Sequence, residues 1–255
     1  MIKNIIKVLL ITFLTLLIVI FYLSTFGIKT DKFNNQITSN ILKINKKVNL
    51  SLSDVNYLLN PYNFTINIET KNPKILIEGK NLAIKNIQTN ISLKSLFDDQ
   101  FSVKDLKIIT KEIQLKDIVA ISRLLKNSQE LFILDSIIKD GFVTANINLK
   151  FDDKGNIKND YTITGSVKKI RFNILNKFKS QNLNFNFNIN KNIYLLEQIN
   201  MDFNGIKITS PIIEVYEKKD SFFVNGQFSN EKNNFEINKL KSIFVNLLND
   251  IDIQK

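Results

Sequence analysis

The chain has 255 residues and a formal net charge of +11, from 35 Lys and Arg against 24 Asp and Glu. It contains no Cys, His or Trp, which excludes a disulfide framework, a thiolate nucleophile and a Cys-based metal site, and removes the usual general base. The positive charge is spread over scattered lysines, with arginine only at Arg123 and Arg171. It follows a composition crowded with Lys, Asn, Ile and Phe rather than a basic patch, so no nucleic-acid partner is expected.

Residues 1–28 read as a membrane anchor. Val8 to Ile28 is an uncharged run of 21 residues, which as a helix would measure about 31 Å, close to the thickness of a bilayer core. Thr12, Thr15, Ser24 and Thr25 can bond back onto their own helix. Lys3 and Lys7 would also suit a cleaved signal, but signal cores are shorter and end in a small-x-small site. Here only Thr25-Phe26-Gly27 resembles one, and an uncleaved anchor is the favoured reading. Lys29, Lys32, Lys43, Lys46 and Lys47 outnumber the two lysines before the run. By the positive-inside count they would hold the remainder in the cytoplasm, yet long domains translocate largely regardless of charge.

Residues 29–47 form an amphipathic connector, with Phe33, Ile37 and Ile41 at helical spacing. It suits either packing on the following domain or lying on a membrane surface.

From residue 48 to 116 the apolar period becomes two. Val48, Leu50 and Leu52 alternate with polar residues, as do Phe64, Ile66 and Ile68 after the Asn60-Pro61 turn signal. Asn72-Pro73 marks another turn, and Leu82, Ile84, Ile91, Leu93, Val103, Leu106 and Ile108 continue the series. Such short β-branched runs read as successive strands. Their spacing leaves no room for crossover helices, so the sheet is expected to be antiparallel.

Residues 117–140 read as a mainly helical insertion dividing the β region, with Ile118, Ile121, Leu124 and Leu125 on one face. Leu131 to Leu134 suits a helix or a strand. A second β part is expected over 141–237. Val143, Ala145, Ile147, Leu149 and Phe151 share one face, Asp152 to Gly155 makes a hairpin turn, and Leu183, Phe185, Phe187 and Ile189 alternate with Asn184, Asn186 and Asn188. The acidic pair Asp152-Asp153 lacks the spacing and distal Glu of a calcium loop. Met201, Phe203, Ile206, Ile208, Ile213, Val215, Phe222, Val224, Phe235 and Ile237 prolong the pattern, and Ser210-Pro211 marks an edge or a bulge. Residues 238–255 read as an amphipathic helical tail with Leu240, Ile243, Phe244, Leu247 and Leu248 in one stripe.

Alternation over so many strands implies a sheet with one wet and one apolar face. The apolar face is either closed into a sandwich core or open as a trough for acyl chains, and the pattern alone does not separate the two. Val143, Ile147, Leu149, Phe185, Phe187, Ile189 and Phe203 are the candidate lipid-binding residues. Neither a catalytic constellation nor a cofactor motif is present, so an enzyme, a metal and a cofactor are not expected.

Three blocks carry a resemblance. They are TDKFNNQITSNILKINKKVNLSL after the anchor, IETKNPKILIEGKNLAIKNIQTNISLKSLF, and GFVTANINLKFDDKGNIKNDYTITGSVKKIRF. In these patterns of apolar residues and turns the chain resembles the N-terminal part of the AsmA-like family, bacterial envelope proteins related to TamB. The resemblance implies an inner-membrane anchor, a periplasmic body of curled β-sheet, and a role in phospholipid transport or outer-membrane biogenesis. Membrane phospholipids, and envelope proteins meeting the sheet edges, are the partners it suggests. An assembly or scaffold factor with a closed core, or a jelly-roll component of lipopolysaccharide export, is the alternative. Family members are usually far longer, which fits a short member, a partner-dependent piece or an incomplete reading frame.

Overall fold

The computed structural model describes residues 2–44, 46–53, 55–93, 103–125, 128–152, 156–174, 178–191, 193–218 and 221–230. Asp153 to Gly155, Phe235, Ile237 and the tail at 238–255 lie outside the described residues. The fold is mainly β: among the described residues there are an N-terminal helix, three short helices and one open antiparallel sheet.

Helix α1 (Ile2–Thr25) has 24 residues. Thr12 Oγ1 donates to the Val8 carbonyl at 2.9 Å, Thr15 Oγ1 to Ile11 at 2.8 Å and Ser24 Oγ to Ile20 at 2.7 Å. These back-bonds satisfy the hydroxyls within the apolar helix, as a lipid environment requires. Most of its apolar side chains from Ile5 to Phe21 are exposed among the described residues: Leu9 is 66% and Phe21 68% exposed. The helix stops at Thr25 rather than reaching Ile28. Gly27, at φ +65°, turns the chain, and Ile28 opens strand β1 (Ile28–Thr30).

Helix α2 (Asn34–Ile44) follows and leads into strand β2 (Val48–Ser51). The remaining strands of the first half are β3 (Val55–Asn60), β4 (Thr65–Lys71), β5 (Lys74–Ile77), β6 (Lys80–Ser92), β7 (Val103–Thr110) and β8 (Ile113–Gln114). Phe64 does not extend β4; it sits in the β3–β4 turn at φ 49°. Glu78-Gly79, both at positive φ, make the two-residue turn whose twist matches a β-hairpin.

Helices α3 (Leu115–Leu125) and α4 (Gln129–Ile137) fill the middle of the chain. The ambiguous Leu131–Leu134 run is helical, and Ser128 caps it by accepting from the Leu131 N–H at 3.4 Å. The two helices interrupt the sequence but not the sheet, because β7 pairs directly with β9 (Ile138–Lys150). Strands β10 (Thr162–Ile174), β11 (Phe178–Asn190), β12 (Ile193–Phe203), β13 (Ile206–Lys218) and β14 (Ser221–Gly226) then add in order. Asn204-Gly205, again both at positive φ, close the β12–β13 hairpin.

The sheet runs β1-β3-β4-β6-β7-β9-β10-β11-β12-β13-β14, with β2, β5 and β8 attached at its side. Its two outer strands do not pair with each other, so it is an open sheet and not a barrel. The tightest core lies at the end of the sheet away from α1. There α3 packs against β6, β8 and β9, and α4 against β9 and β10. Ile84, Ile113, Val119, Ile121, Ile138, Val167 and Ile170 are all buried. Lys47 ties β2 to this end, donating to the Leu124 carbonyl at 2.8 Å and pairing with Glu78 at 3.6 Å.

Candidate functional site

In an antiparallel pair, directly opposed residues share a face. Followed strand by strand, the register links Thr30, Val55, Thr70, Ile87, Ile108, Ile147, Ile163, Ile189, Tyr194, Val215 and Val224 in one unbroken row. The row crosses all eleven strands of the main path, and only its two threonines and the tyrosine carry a polar atom.

Parallel rows flank it on the same face. Towards the anchor lie Ile28, Tyr57, Ile68, Thr89, Leu106 and Leu149. On the other side lie Ala145, Gly165, Phe187, Leu196 and Ile213, then Ile113, Val143, Val167 and Phe185. Phe203 falls on this face too, opposite Ser180 and Ile206, with its ring 6.3 Å from that of Phe172. The register therefore brings all seven candidate residues to one face. Sequence reasoning missed Ile163, which lies between Ile147 and Ile189, and Tyr194 and Leu196, which extend the face beyond Ile189 and Phe187; their alternation is readable, but their alignment needs the register.

This face is covered unevenly. Helices α3 and α4 pack over its far end, as described above. Among the described residues the side strands β2 and β5 join the main sheet only through β6, and no helix makes more than marginal contact with β11 to β14. Val143, Ile147, Leu149, Phe185, Phe187 and Ile189 are accordingly half-buried, whereas Phe203 is buried. At the β14 edge Val224 is 68% exposed.

The opposite face is mostly polar and cross-linked. Asn67 Nδ2 donates to Asn90 Oδ1 at 3.1 Å, and Asn90 Nδ2 donates to the Asp105 carboxylate at 3.0 Å. Asn86 donates to Glu69, Asn148 to Thr162, and Lys150 to Asp160 at 2.7 Å. Asp160 raises the Lys150 pKa through that hydrogen bond, and Lys150 in turn holds Asp160 below the usual carboxylate range. Arg171 pairs with Asp140 at 2.7 Å.

A line of bulges bends β10, β11 and β12 side by side. Lys169, Asn182 and Gln198 each sit at φ 54°, the left-handed conformation that marks an inserted residue in a bulged strand. The insertions keep the apolar side in phase: Val167 and Ile170, three apart, both stay on the apolar face, as do Leu196 and Ile199. A one-residue slip would otherwise turn every later side chain to the wrong face.

Asn184 stitches the three bulges. Its Oδ1 accepts from the Lys169 N–H at 2.8 Å, and its Nδ2 donates to the Asn182 carbonyl at 2.6 Å and to Asn200 Oδ1 at 2.8 Å. Asn186 Nδ2 adds a bond to Gln198 Oε1 at 2.9 Å. The asparagines of β11 thus hold the bend as well as facing water.

Among the described residues no three acidic side chains come together in a way that could hold a metal ion. The chemistry this arrangement offers is adhesion of apolar chains along a bent, half-covered surface. No protein-family model, no curated protein and no solved structure matches the chain.

Proposed function

We propose that this protein is a membrane-anchored, non-catalytic lipid-binding module whose apolar sheet face receives phospholipid acyl chains. Its place is the bacterial inner membrane, with the sheet in the periplasm, and its role is phospholipid transport or outer-membrane biogenesis. The observation that carries the reading is the unbroken apolar row from Val55 to Val224, open over β11 to β14 and attached to an apolar helix long enough to cross a bilayer. Apolar surface left in water is unfavourable by about 25 cal/mol per Å², and acyl chains satisfy it without any specific polar group. The inner-membrane and periplasmic placement and the transport role rest on the resemblance to the AsmA-like family.

The openness of the sheet favours this reading over a scaffold with a closed core. Mass spectrometry of lipids retained by the detergent-purified full chain tests it. Retained phospholipid supports the trough; a lipid-free protein that is folded and monodisperse refutes it. A periplasm-dependent reporter fused after Lys255 tests the orientation separately, and a stable but inactive fusion would place the sheet in the cytoplasm.

A further inference from the structure

We propose that the β3–β4 turn is a second membrane contact, an aromatic foot that rests in the headgroup region beside the anchor. The inference rests on reading α1 as a membrane span. Strand β1 leaves the end of that helix, and β3 runs antiparallel to it, with Tyr57 opposite Ile28. Beyond Tyr57 the strand continues back alongside the helix end. An added Cβ on Gly27 would stand 2.6 Å from the Tyr57 carbonyl oxygen and 3.0 Å from Leu58 Cδ1. That close approach fixes β3 against the anchor junction and carries the turn at 61–64 to the level of the last helical turns.

The turn presents what an interface selects. Tyr62 is 94% and Phe64 66% exposed, and Pro61-Tyr62-Asn63-Phe64 carries no charge. Asn60 Oδ1 accepts from the Asn63 N–H at 3.2 Å, and the Phe64 carbonyl accepts from the Leu93 N–H at 2.8 Å. These bonds hold Phe64 at φ 49°, a conformation that bulky residues rarely adopt, with its ring outward. At the helix end the Tyr22 and Phe26 rings lie tilted against each other with centroids 5.3 Å apart, and Phe26 is 64% exposed. Exposed Lys29 follows immediately. Tyrosine concentrates at the membrane–water boundary, and lysine anchors helix ends there. With α1 and the turn both seated, the anchor-side end of the sheet lies next to the bilayer surface.

The chain has no tryptophan, so single Trp substitutions report their own surroundings. Full-length Tyr62→Trp, Phe13→Trp and Phe228→Trp variants are reconstituted in phosphatidylcholine vesicles brominated either near the glycerol or near the chain end. Phe13 lies within α1 and Phe228 is 61% exposed beyond β14. The expected result is blue-shifted emission from Tyr62→Trp with preferential quenching by the shallow bromines. Phe13→Trp should be quenched by the deep ones and Phe228→Trp by neither. If Tyr62→Trp behaves like Phe228→Trp while Phe13→Trp is quenched, α1 spans the bilayer and the foot is refuted. A blue shift without quenching at Tyr62→Trp also refutes it, because protein rather than lipid then covers the turn. An unquenched Phe13→Trp removes the span itself, and the foot with it.

Discussion

The Phe187 ring lies over Gly165 on the neighbouring strand. An added Cβ on Gly165 would stand 2.5 Å from Phe187 Cζ and clash outright with the Thr144 carbonyl oxygen. Gly165 pairs with both Ala145 and Phe187, so a bare backbone position in the middle of the apolar face is filled by its neighbour's ring. This is the arrangement by which a cross-strand aromatic compensates a strand glycine.

Gly165→Ala should therefore destabilise the sheet by about 1–3 kcal/mol, the usual cost of overpacking. Adding Phe187→Ala should not restore stability, because the Thr144 carbonyl still blocks the new methyl group. Urea denaturation of both variants measures this. An unchanged midpoint for Gly165→Ala would show that the strands there have room to spare.

Asn184 and Asn188 alternate on the same strand and look alike in sequence, but they predict different outcomes. Asn184→Ala removes hydrogen bonds to Lys169, Asn182 and Asn200 and should cost about 1–3 kcal/mol. The Asn188 side chain makes none of these bonds, and Asn188→Ala should stay within about 0.5 kcal/mol of wild type. Equal effects at the two positions would contradict the stitching role.

Among the described residues the buried Tyr57 hydroxyl has no hydrogen-bond partner, and burial raises its pKa above the ordinary 10.0. The fold thus favours the neutral phenol, and this contribution is present below pH 10 and lost as the pH rises through the raised value. Tyr57→Phe should leave stability at neutral pH unchanged or raise it by up to about 1 kcal/mol. It should also remove that alkaline loss. A clear drop in melting temperature at neutral pH would indicate that the hydroxyl has a partner.

At acid pH the sign reverses. The Gly141 N–H donates to Asp140 at 2.9 Å and Arg171 pairs with the same carboxylate, which together hold its pKa below the ordinary 3.8. The ionised form is favoured by the fold, so its contribution is present above the unfolded pKa and lost as the pH falls through the depressed one. Asp140→Asn should lower stability slightly at pH 7 and flatten the acid limb of the stability profile. Because the group is solvent-exposed, high salt should shrink the difference.

The alternation of Leu183, Phe185, Phe187 and Ile189 is legible because successive strand residues point to opposite faces. The bulges are harder to read. Their only trace is the widening of apolar spacing from two to three at Val167–Ile170 and Leu196–Ile199. Lysine and glutamine do not announce the left-handed conformation that Lys169 and Gln198 adopt, since it is glycine, asparagine and aspartate that favour it. Leu131 to Leu134 is too short a run for periodicity to separate helix from strand, and the Ser128 cap decides it. Phe64 fits the parity of Ile66 and Ile68, yet the Asn60 side chain folds it into a turn. Strand register, which joins β7 to β9 across the two helices and aligns the seven candidate residues, is a long-range property that local pattern does not encode.

The most direct test of the open apolar face is an Ile189→Glu variant. Ile189 lies half-buried in the long row between Ile163 and Tyr194. Bound phospholipid per protein and melting temperature are measured together for wild type and variant. An open face predicts lipid on the wild type, its loss from the variant, and a melting temperature lowered by only a few degrees, since the carboxylate reaches water once the acyl chains are gone. In a closed core the same change would bury an unpaired charge, costing several kcal/mol. Unfolding of the variant, or a wild-type protein that carries no lipid, would contradict the account.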